Sequence, residues 1–339
     1  GGEMMKKIAL LGAGFIAGVH MEGWKRVEGA EVCAFFETNL EKASAFQDKY
    51  QIPHYNSFSR LLEEEKVDIV DICLPTFLHR EYTEMAASHE KHVFCEKPIA
   101  LTVEDAEAMK RICERSGVKL MVGQVLRFWG EYVKARELVE EGAVGKVLSV
   151  DAFRLSLPPT WSVDSWILKP ELSGGAAVDL HIHDLDYVNW LLGEPQVVFA
   201  QGVRSPQNSW DHMVTVVNYG GVIAHIEGGW MMRGDFPFTC GFRILGDEGV
   251  LEWSSRAGVN IEEREKTSPL VLYRNGEAKK EMEVREEDPY YLELEYFLDC
   301  IENNKPVERG TPEQAILALR LALAARQSAE EGEKVKLGE

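Results

Sequence analysis

The segment Asp179-Leu180-His181-Ile182-His183-Asp184-Leu185-Asp186 places three aspartates and two histidines side by side. Residues of these types hold a metal, pass protons, or make a polar helix turn. Val178, Ile182, Leu185, Asn189 and Leu192 recur at steps of four and three, so the spacing predicts one amphipathic helix, opened after Ser173-Gly174-Gly175 and stopped at Gly193 and Pro195. On such a helix Asp179, His183 and Asp186 share a stripe, while His181 lies about 200 degrees round from Asp179. A zinc pair wants histidines at i, i+4 plus further ligands, which His-Ile-His does not provide, so no metal is expected. Acid/base chemistry fits better. An imidazole titrates near the working pH, and removing the proton of a secondary alcohol while its hydride leaves needs such a base. His183 is the candidate base, Asp179 one turn earlier can orient it or bind a substrate hydroxyl, and Asp186 is a candidate substrate contact. A purely structural polar turn is the plain alternative.

A second chemical element is Cys95-Glu96-Lys97-Pro98. It ends an apolar run, and the residue before a proline stays extended, which sets Lys97 at a strand end. There its ammonium can stabilise negative charge developing on a reacting oxygen; a solvated lysine is the alternative. A third is Gly12-Ala13-Gly14-Phe15-Ile16-Ala17, directly after the run 6 to 11 and opening a helical window. The first glycine permits a tight turn, the second lets main chain approach a pyrophosphate, and Ala17 allows close helix packing. Glu37, some 20 residues further at the end of the next run, can accept both ribose hydroxyls and repel a 2'-phosphate. NAD is therefore the expected cofactor, with NADP as the alternative, since Thr38 and Asn39 soften the preference.

These residues need a scaffold. Runs at 6–11, 30–37, 67–75, 91–98 and 118–123 have apolar centres, and amphipathic windows at 15–27, 40–49, 79–89 and 104–116 separate them, the last with Thr102 as N-cap. Strands apolar on both faces alternating with helices predict a doubly wound parallel sheet, whose ligands bind at the strands' carboxyl ends. Leu74, Pro75, Thr76 and His79 follow the third run and join the candidate cofactor contacts. The second half changes character. The stretches 147–156, 213–231, 238–255 and 268–276 alternate apolar and polar residues around glycine turns, as an antiparallel meander would.

Composition is consistent with two globular domains: 339 residues, 45% hydrophobic and 27% charged. A net charge of -19, from 37 basic against 56 acidic residues, disfavours nucleic acid. No run is long enough for a transmembrane helix. The basic start and apolar run of 4–20 imitate a signal peptide but read as the first core strand and its glycine loop. Six scattered cysteines without Cys-x-x-Cys suggest reduced thiols and a cytoplasmic protein.

Taken together, "GAGFIAGVH", "LPTFLH", "CEKPIALT" and "SGGAAVDLHIHDLDYVNWLLG" resemble the glucose-fructose oxidoreductase and inositol dehydrogenase (Gfo/Idh/MocA) family over essentially the whole chain. The resemblance implies a Rossmann domain, placed at 1–124, and an α+β domain with a large, mostly antiparallel open sheet at 125–339. It implies NAD(P)-dependent oxidation or reduction of a sugar, polyol or sugar derivative. It also implies a homodimer or homotetramer formed through the second sheet, and makes Lys97, Asp179 and His183 the catalytic lysine, aspartate and histidine. Gly12, Gly14, Phe15, Ile16, Glu37, Thr38, Leu74, Pro75, Thr76, His79, Glu96 and Lys97 are the expected cofactor contacts. Arg127, Trp166, Asp179, His183 and Asp186 are the expected substrate contacts, with Trp161, Lys169, Trp210 and His212 as further pocket candidates. The chain departs from the family at His181, where glycine is frequent, and at Gln124, where an asparagine precedes the Arg-Phe pair. An NAD-dependent glycoside hydrolase and a non-catalytic NAD(P)-binding regulator are the alternatives.

Overall fold

A computed structural model of the chain describes residues 4–160, 166–257 and 266–338. It divides into one unit of Gly1–Phe128 with Glu287–Ile316 and another of Trp129–Glu286 with Leu317–Glu339.

In the first unit, strands β1 (Lys6–Leu11), β2 (Ala30–Phe36), β3 (His54–Tyr55), β4 (Ile69–Ile72), β5 (His92–Glu96) and β6 (Leu120–Gly123) alternate with helices α1 (Phe15–Arg26), α2 (Leu40–Tyr50), α3 (Phe58–Glu64), α4 (His79–Ser88) and α5 (Val103–Ser116). The strands are parallel, in the order β3-β2-β1-β4-β5-β6. Ile8, Ala9, Leu10 and Leu11 of β1 are all fully buried, as a strand covered on both faces requires. The run imitating a signal peptide is thus β1 and the start of α1. Helix boundaries follow local chemistry: the Asn39 and Thr102 side chains accept the main-chain N–H of Lys42 and Asp105, and Gly117 in the left-handed region closes α5. The strand order reverses between β1 and β4, which makes their carboxyl ends the switch point where such sheets bind ligands.

The second unit contains α6 (Gly130–Glu140), β7 (Val147–Leu155), α7 (Pro170–Ser173), α8 (Ala176–Asp179), α9 (Ile182–Leu192), β8 (Val197–Arg204), β9 (Trp210–Asn218), β10 (Ile223–Gly229), β11 (Thr239–Gly246), β12 (Gly249–Arg256), β13 (Lys266–Thr267), β14 (Leu270–Arg274) and β15 (Lys280–Met282). After it come α10 (Pro289–Glu302), which belongs to the first unit, α11 (Pro312–Glu331), and β16 (Val335–Lys336). The sheet runs β15-β14-β12-β11-β7-β10-β9-β8-β16 with β13 beside β12. It is antiparallel except between β7 and β10. A simple meander, as the glycine turns suggest, is therefore incorrect: β7 inserts between β10 and β11. Hairpins account for β9–β10 and β11–β12, whereas a parallel neighbour such as β7–β10 needs a long connection, here carrying α7 to α9.

The sequence division at 124/125 assigns everything downstream to the second domain, but contacts return 287–316 to the first. Leu294, Phe297 and Leu298 of α10 share one core with Ile8, Trp24 and Phe94. A Cβ on Gly23 of α1 would lie 3.0 Å from Leu294, so the glycine lets the two helices close together. Among the described residues no helix is long and apolar enough to cross a membrane.

Candidate functional site

At the switch point the glycine loop has a shape only these residues allow. Gly12 has φ +111°, and a Cβ there would stand 2.5 Å from the Cys73 carbonyl oxygen at the end of β4. Any side chain would push the two strand ends apart. Around Gly14, the N-cap of α1, no atom of the described residues beyond its chain neighbours and its own helix lies within 4 Å of where a Cβ would be, so the approach to the helix N-terminus is open. The first turn of α1 carries no acidic side chain, leaving its N–H groups and dipole to an anion. Ala17 is fully buried, and Phe15 is 57% exposed beside Ile16. This cradle fits the pyrophosphate of a dinucleotide.

The other first-unit candidates lie along the same carboxyl edge. Glu37 follows β2, and its carboxylate accepts the main-chain N–H of Asn39 at 3.1 Å, which orients it; Thr38 beside it is exposed. Leu74 and Thr76 are buried and Pro75 half-buried after β4. His79 is buried, with Nε2 2.9 Å from the Leu74 carbonyl and Nδ1 2.8 Å from that of Pro98. Its ring therefore ties the segment after β4 to the one after Lys97. Burial pushes its pKa down, against the hydrogen bonds to the Leu74, Ile99 and Pro98 carbonyls, which favour the protonated ring. Glu96 ends β5, and Lys97 follows half-buried, its N–H donated to Glu96 Oε2 at 3.0 Å. Arg127 is 2% exposed on the short turn after β6, and its carbonyl accepts Arg309 at 3.2 Å.

In the second unit the structure corrects the single helix expected at 178–192. The chain forms α8 and α9 with a break at Leu180–His181, where the His181 N–H reaches the Ala176 carbonyl five residues back, at 2.9 Å. One extra residue in a turn advances the helical phase by about 100 degrees, so the i, i+4, i+7 stripe does not run unbroken from Asp179 to Asp186. Each acidic and histidine side chain has its own setting. Asp179 is buried at the end of α8, His183 is half-buried on the first turn of α9, and Asp186 is buried. Asp184 pairs with Arg154 of β7 at 3.0 Å in the interior, and Arg154 also donates to the Tyr132 hydroxyl at 3.1 Å. That aspartate is structural. His181 is fully buried against the sheet, its Nε2 2.9 Å from Thr215 Oγ1, in a space that exists because residue 228 is glycine: a Cβ there would lie 2.5 Å from Nδ1. Burial, with a smaller contribution from His212, pushes its pKa down to about 3, so it stays neutral and packs. Trp166 packs partly buried on the cluster of Ile167, Ala176 and Trp230. Lys169 is exposed, Trp210 and His212 are half-buried on β9, and Trp161 lies outside the described residues.

Sequence reasoning missed a buried group beneath the switch point. His20 of α1, Asp71 of β4, Glu96 and Glu293 of α10 are all buried, and their ligand-type atoms cluster together with Cys73. The available signal was Asp71 itself: an acid inside the apolar run Ile69-Val70-Asp71-Ile72 must find a buried partner. Neither carboxyl oxygen of Glu293 has a hydrogen-bond partner among the described residues. Burial first, then repulsion from Glu96, holds its pKa well above the usual carboxylate value. The unfolded chain ionises it above about pH 4.3 while the folded chain does not, so its contribution to stability falls with rising pH, by up to about 1.4 kcal/mol per unit, until the folded pKa is reached. Glu293→Gln keeps a neutral side chain of similar shape. Its Tm should match the native chain near pH 4 and exceed it by a margin that widens as the pH rises; parallel Tm curves would show that the Glu293 pKa is the same in the folded and unfolded chain.

The sequence matches the models of both halves of one oxidoreductase family: the NAD-binding Rossmann fold over residues 6–124 and the C-terminal alpha/beta domain over residues 136–337. A 1,5-anhydro-D-fructose reductase of Ensifer adhaerens is 28% identical over 98% of this chain and 99% of its own. A 2,7-anhydro-N-acetylneuraminate hydratase of Escherichia coli is 35% identical over 60% of this chain, and the match spans only half of that protein. Among solved structures, aldose-aldose oxidoreductase from Caulobacter crescentus complexed with glycerol superposes with TM-score 0.85 at 28% identity, covering 98% of this chain and all of that one.

Proposed function

The chain belongs to the Gfo/Idh/MocA family of NAD(P)-dependent oxidoreductases acting on sugars and polyols, and from that premise we propose that it interconverts a hydroxyl and a carbonyl of such a substrate with NAD, using His183 as base and Lys97 at the reacting oxygen. The observation that supports this most is the end-to-end likeness to a sugar reductase in a chain that retains Lys97, Asp179 and His183.

When bound, the nicotinamide accepts or returns the hydride. The chain's own residues do the rest. The N–H groups opening α1 and the gap at Gly14 receive the pyrophosphate, and Glu37 accepts the ribose hydroxyls, which favours NAD over NADP. The Lys97 ammonium hydrogen-bonds the oxygen on which negative charge grows. His183 takes the hydroxyl proton in the oxidative direction and returns it in the reductive one. Asp179 holds the imidazole or a neighbouring hydroxyl, and Asp186, Arg127 and Trp166 contact the remainder of the sugar.

A screen of sugars and polyols with NAD, followed at the nicotinamide absorbance, tests the whole reading. NADH accumulating in step with substrate loss is the expected result; calorimetry showing tighter NADP than NAD would overturn the role of Glu37. The hydratase relative favours a second reading, a redox-neutral cycle in which oxidation and re-reduction of the sugar flank bond cleavage. In that case product forms without net NADH.

We read the assembly as a homodimer or homotetramer in the cytoplasm. Phe199, Val216 and Ile223 lie exposed on the neighbouring strands β8, β9 and β10 of the second sheet, with Leu245 on β11 beyond β7, and a second copy would cover these apolar side chains. A monomer mass by sedimentation at micromolar concentration contradicts it. The six cysteines are all free, as a reducing compartment would leave them.

A further inference from the structure

We propose that His20, which makes no claim on substrate or cofactor, is a positioning residue: as an imidazolium bridging Asp71 and Glu96, it holds the Glu96 carboxylate where that carboxylate fixes the main chain of Lys97. The inference rests on the reading of Lys97 given above.

The geometry is a chain of short contacts through the first unit. His20 Nδ1 lies 2.7 Å from Asp71 Oδ2, and His20 Nε2 lies 2.7 Å from Glu96 Oε1. Glu96 Oε2 then accepts the Lys97 N–H at 3.0 Å. Asp71 also accepts the Trp24 indole N–H at 2.8 Å on the oxygen facing His20, and the Cys73 thiol at 3.6 Å on the other. Every partner of both carboxylates is thus a donor.

With both carboxylates ionised, donor and acceptor counting points to one state of the ring. An ionised carboxylate only accepts, so a ring between two of them must carry a proton on each nitrogen, which is the imidazolium. Neutral imidazole would leave one nitrogen lone pair facing an oxygen lone pair at 2.7 Å in a site without solvent. Burial, the largest single influence, works against a charge on His20, but Asp71 and Cys73 together outweigh it and hold the ring's pKa well above its ordinary value. Space for the Glu96 carboxylate is reserved by Gly123 of β6, where a Cβ would stand 3.1 Å from Oε1.

Two consequences follow for Lys97. Its main chain is held by a charge-assisted network rather than by the strand ladder, since β5 ends at Glu96. And because His20 sits on α1, the helix that opens with the glycine loop is tied through Glu96 to Lys97. A side chain displaced by about 1 Å from its productive place loses roughly 100-fold in rate.

The experiment uses two amide replacements in the full chain. In His20→Gln the amide nitrogen reaches the position of Nε2 and still donates to Glu96; in His20→Asn it reaches only the position of Nδ1 and donates to Asp71. The readouts are kcat and KM on the substrate found by the screen, NAD affinity by calorimetry, and hydrogen exchange of the Lys97 amide. Expected for His20→Asn is a kcat loss approaching 100-fold, faster exchange at Lys97, and KM and NAD affinity near native. His20→Gln should recover most of kcat and of the amide protection. Equal activity of the two variants, an unchanged Lys97 amide in His20→Asn, or a loss confined to NAD affinity would overturn the inference. Should His20→Asn not fold, Glu96→Ala gives the same test from the other end: native kcat there also overturns it. Lys97→Ala separates the two claims. If that variant keeps its turnover, the role of Lys97 and this inference fall together; if it is inactive while His20→Asn is fully active, only this inference falls.

Discussion

Replacing Lys97 with alanine should lower kcat by about 100- to 1,000-fold, equivalent to about 2.7–4 kcal/mol of lost transition-state stabilisation. Lys97 follows the carboxyl end of β5, on the sheet edge that carries the glycine loop, and Glu96 accepts its main-chain N–H. Its interaction is strongest when the reacting oxygen is most negative, so kcat and kcat/KM fall together, while NAD affinity falls less. An arginine does not restore the rate, because its planar fork cannot put a compact charge at the same point. Steady-state kinetics on the substrate identified with NAD decides the matter, and native turnover in Lys97→Ala would end the assignment.

His183→Ala should cost about 100- to 10,000-fold in kcat, the range that a positioned proton acceptor supplies. A half-buried imidazole on the first turn of α9 can reach a bound hydroxyl while still exchanging its proton with solvent. The pH profile carries the more specific signature. Oxidation by the native enzyme loses rate on the acid side as the imidazole becomes protonated, and the variant should lose that limb and respond to added imidazole. A variant that keeps the acid limb at reduced rate would point to another base, with Asp179 the first to test.

How far the sequence could be read depended on whether a signal was local. The glycine loop, the carboxylate at Glu37, the lysine before Pro98 and the Thr102 cap are each set by a few consecutive residues, because turns, strand ends and caps are closed by neighbours in the chain. The alternating strands of the second half were equally visible. Their order was not: β7 and β10 are far apart in the chain, and nothing in either strand announces that they will pair in parallel. The helix at 178–192 failed for a related reason. Its periodicity is intact in the sequence, yet the turn widens at His181, whose ring occupies the space beside Gly228 on a strand that lies well downstream.

The sequence by itself determined the parallel sheet, the dinucleotide cradle, the second sheet and the family, since apolar periodicity and short contiguous motifs are enough for each. Only the tertiary structure decided which polar residues are structural and which remain available for chemistry. Asp184 is taken by Arg154, His181 by the sheet, and Asp71 and Glu96 by His20, while His183 is half-buried. The reason is physical: a buried polar group is stable only beside a partner of matching charge or hydrogen-bonding sense, and folding draws that partner from a distant part of the chain.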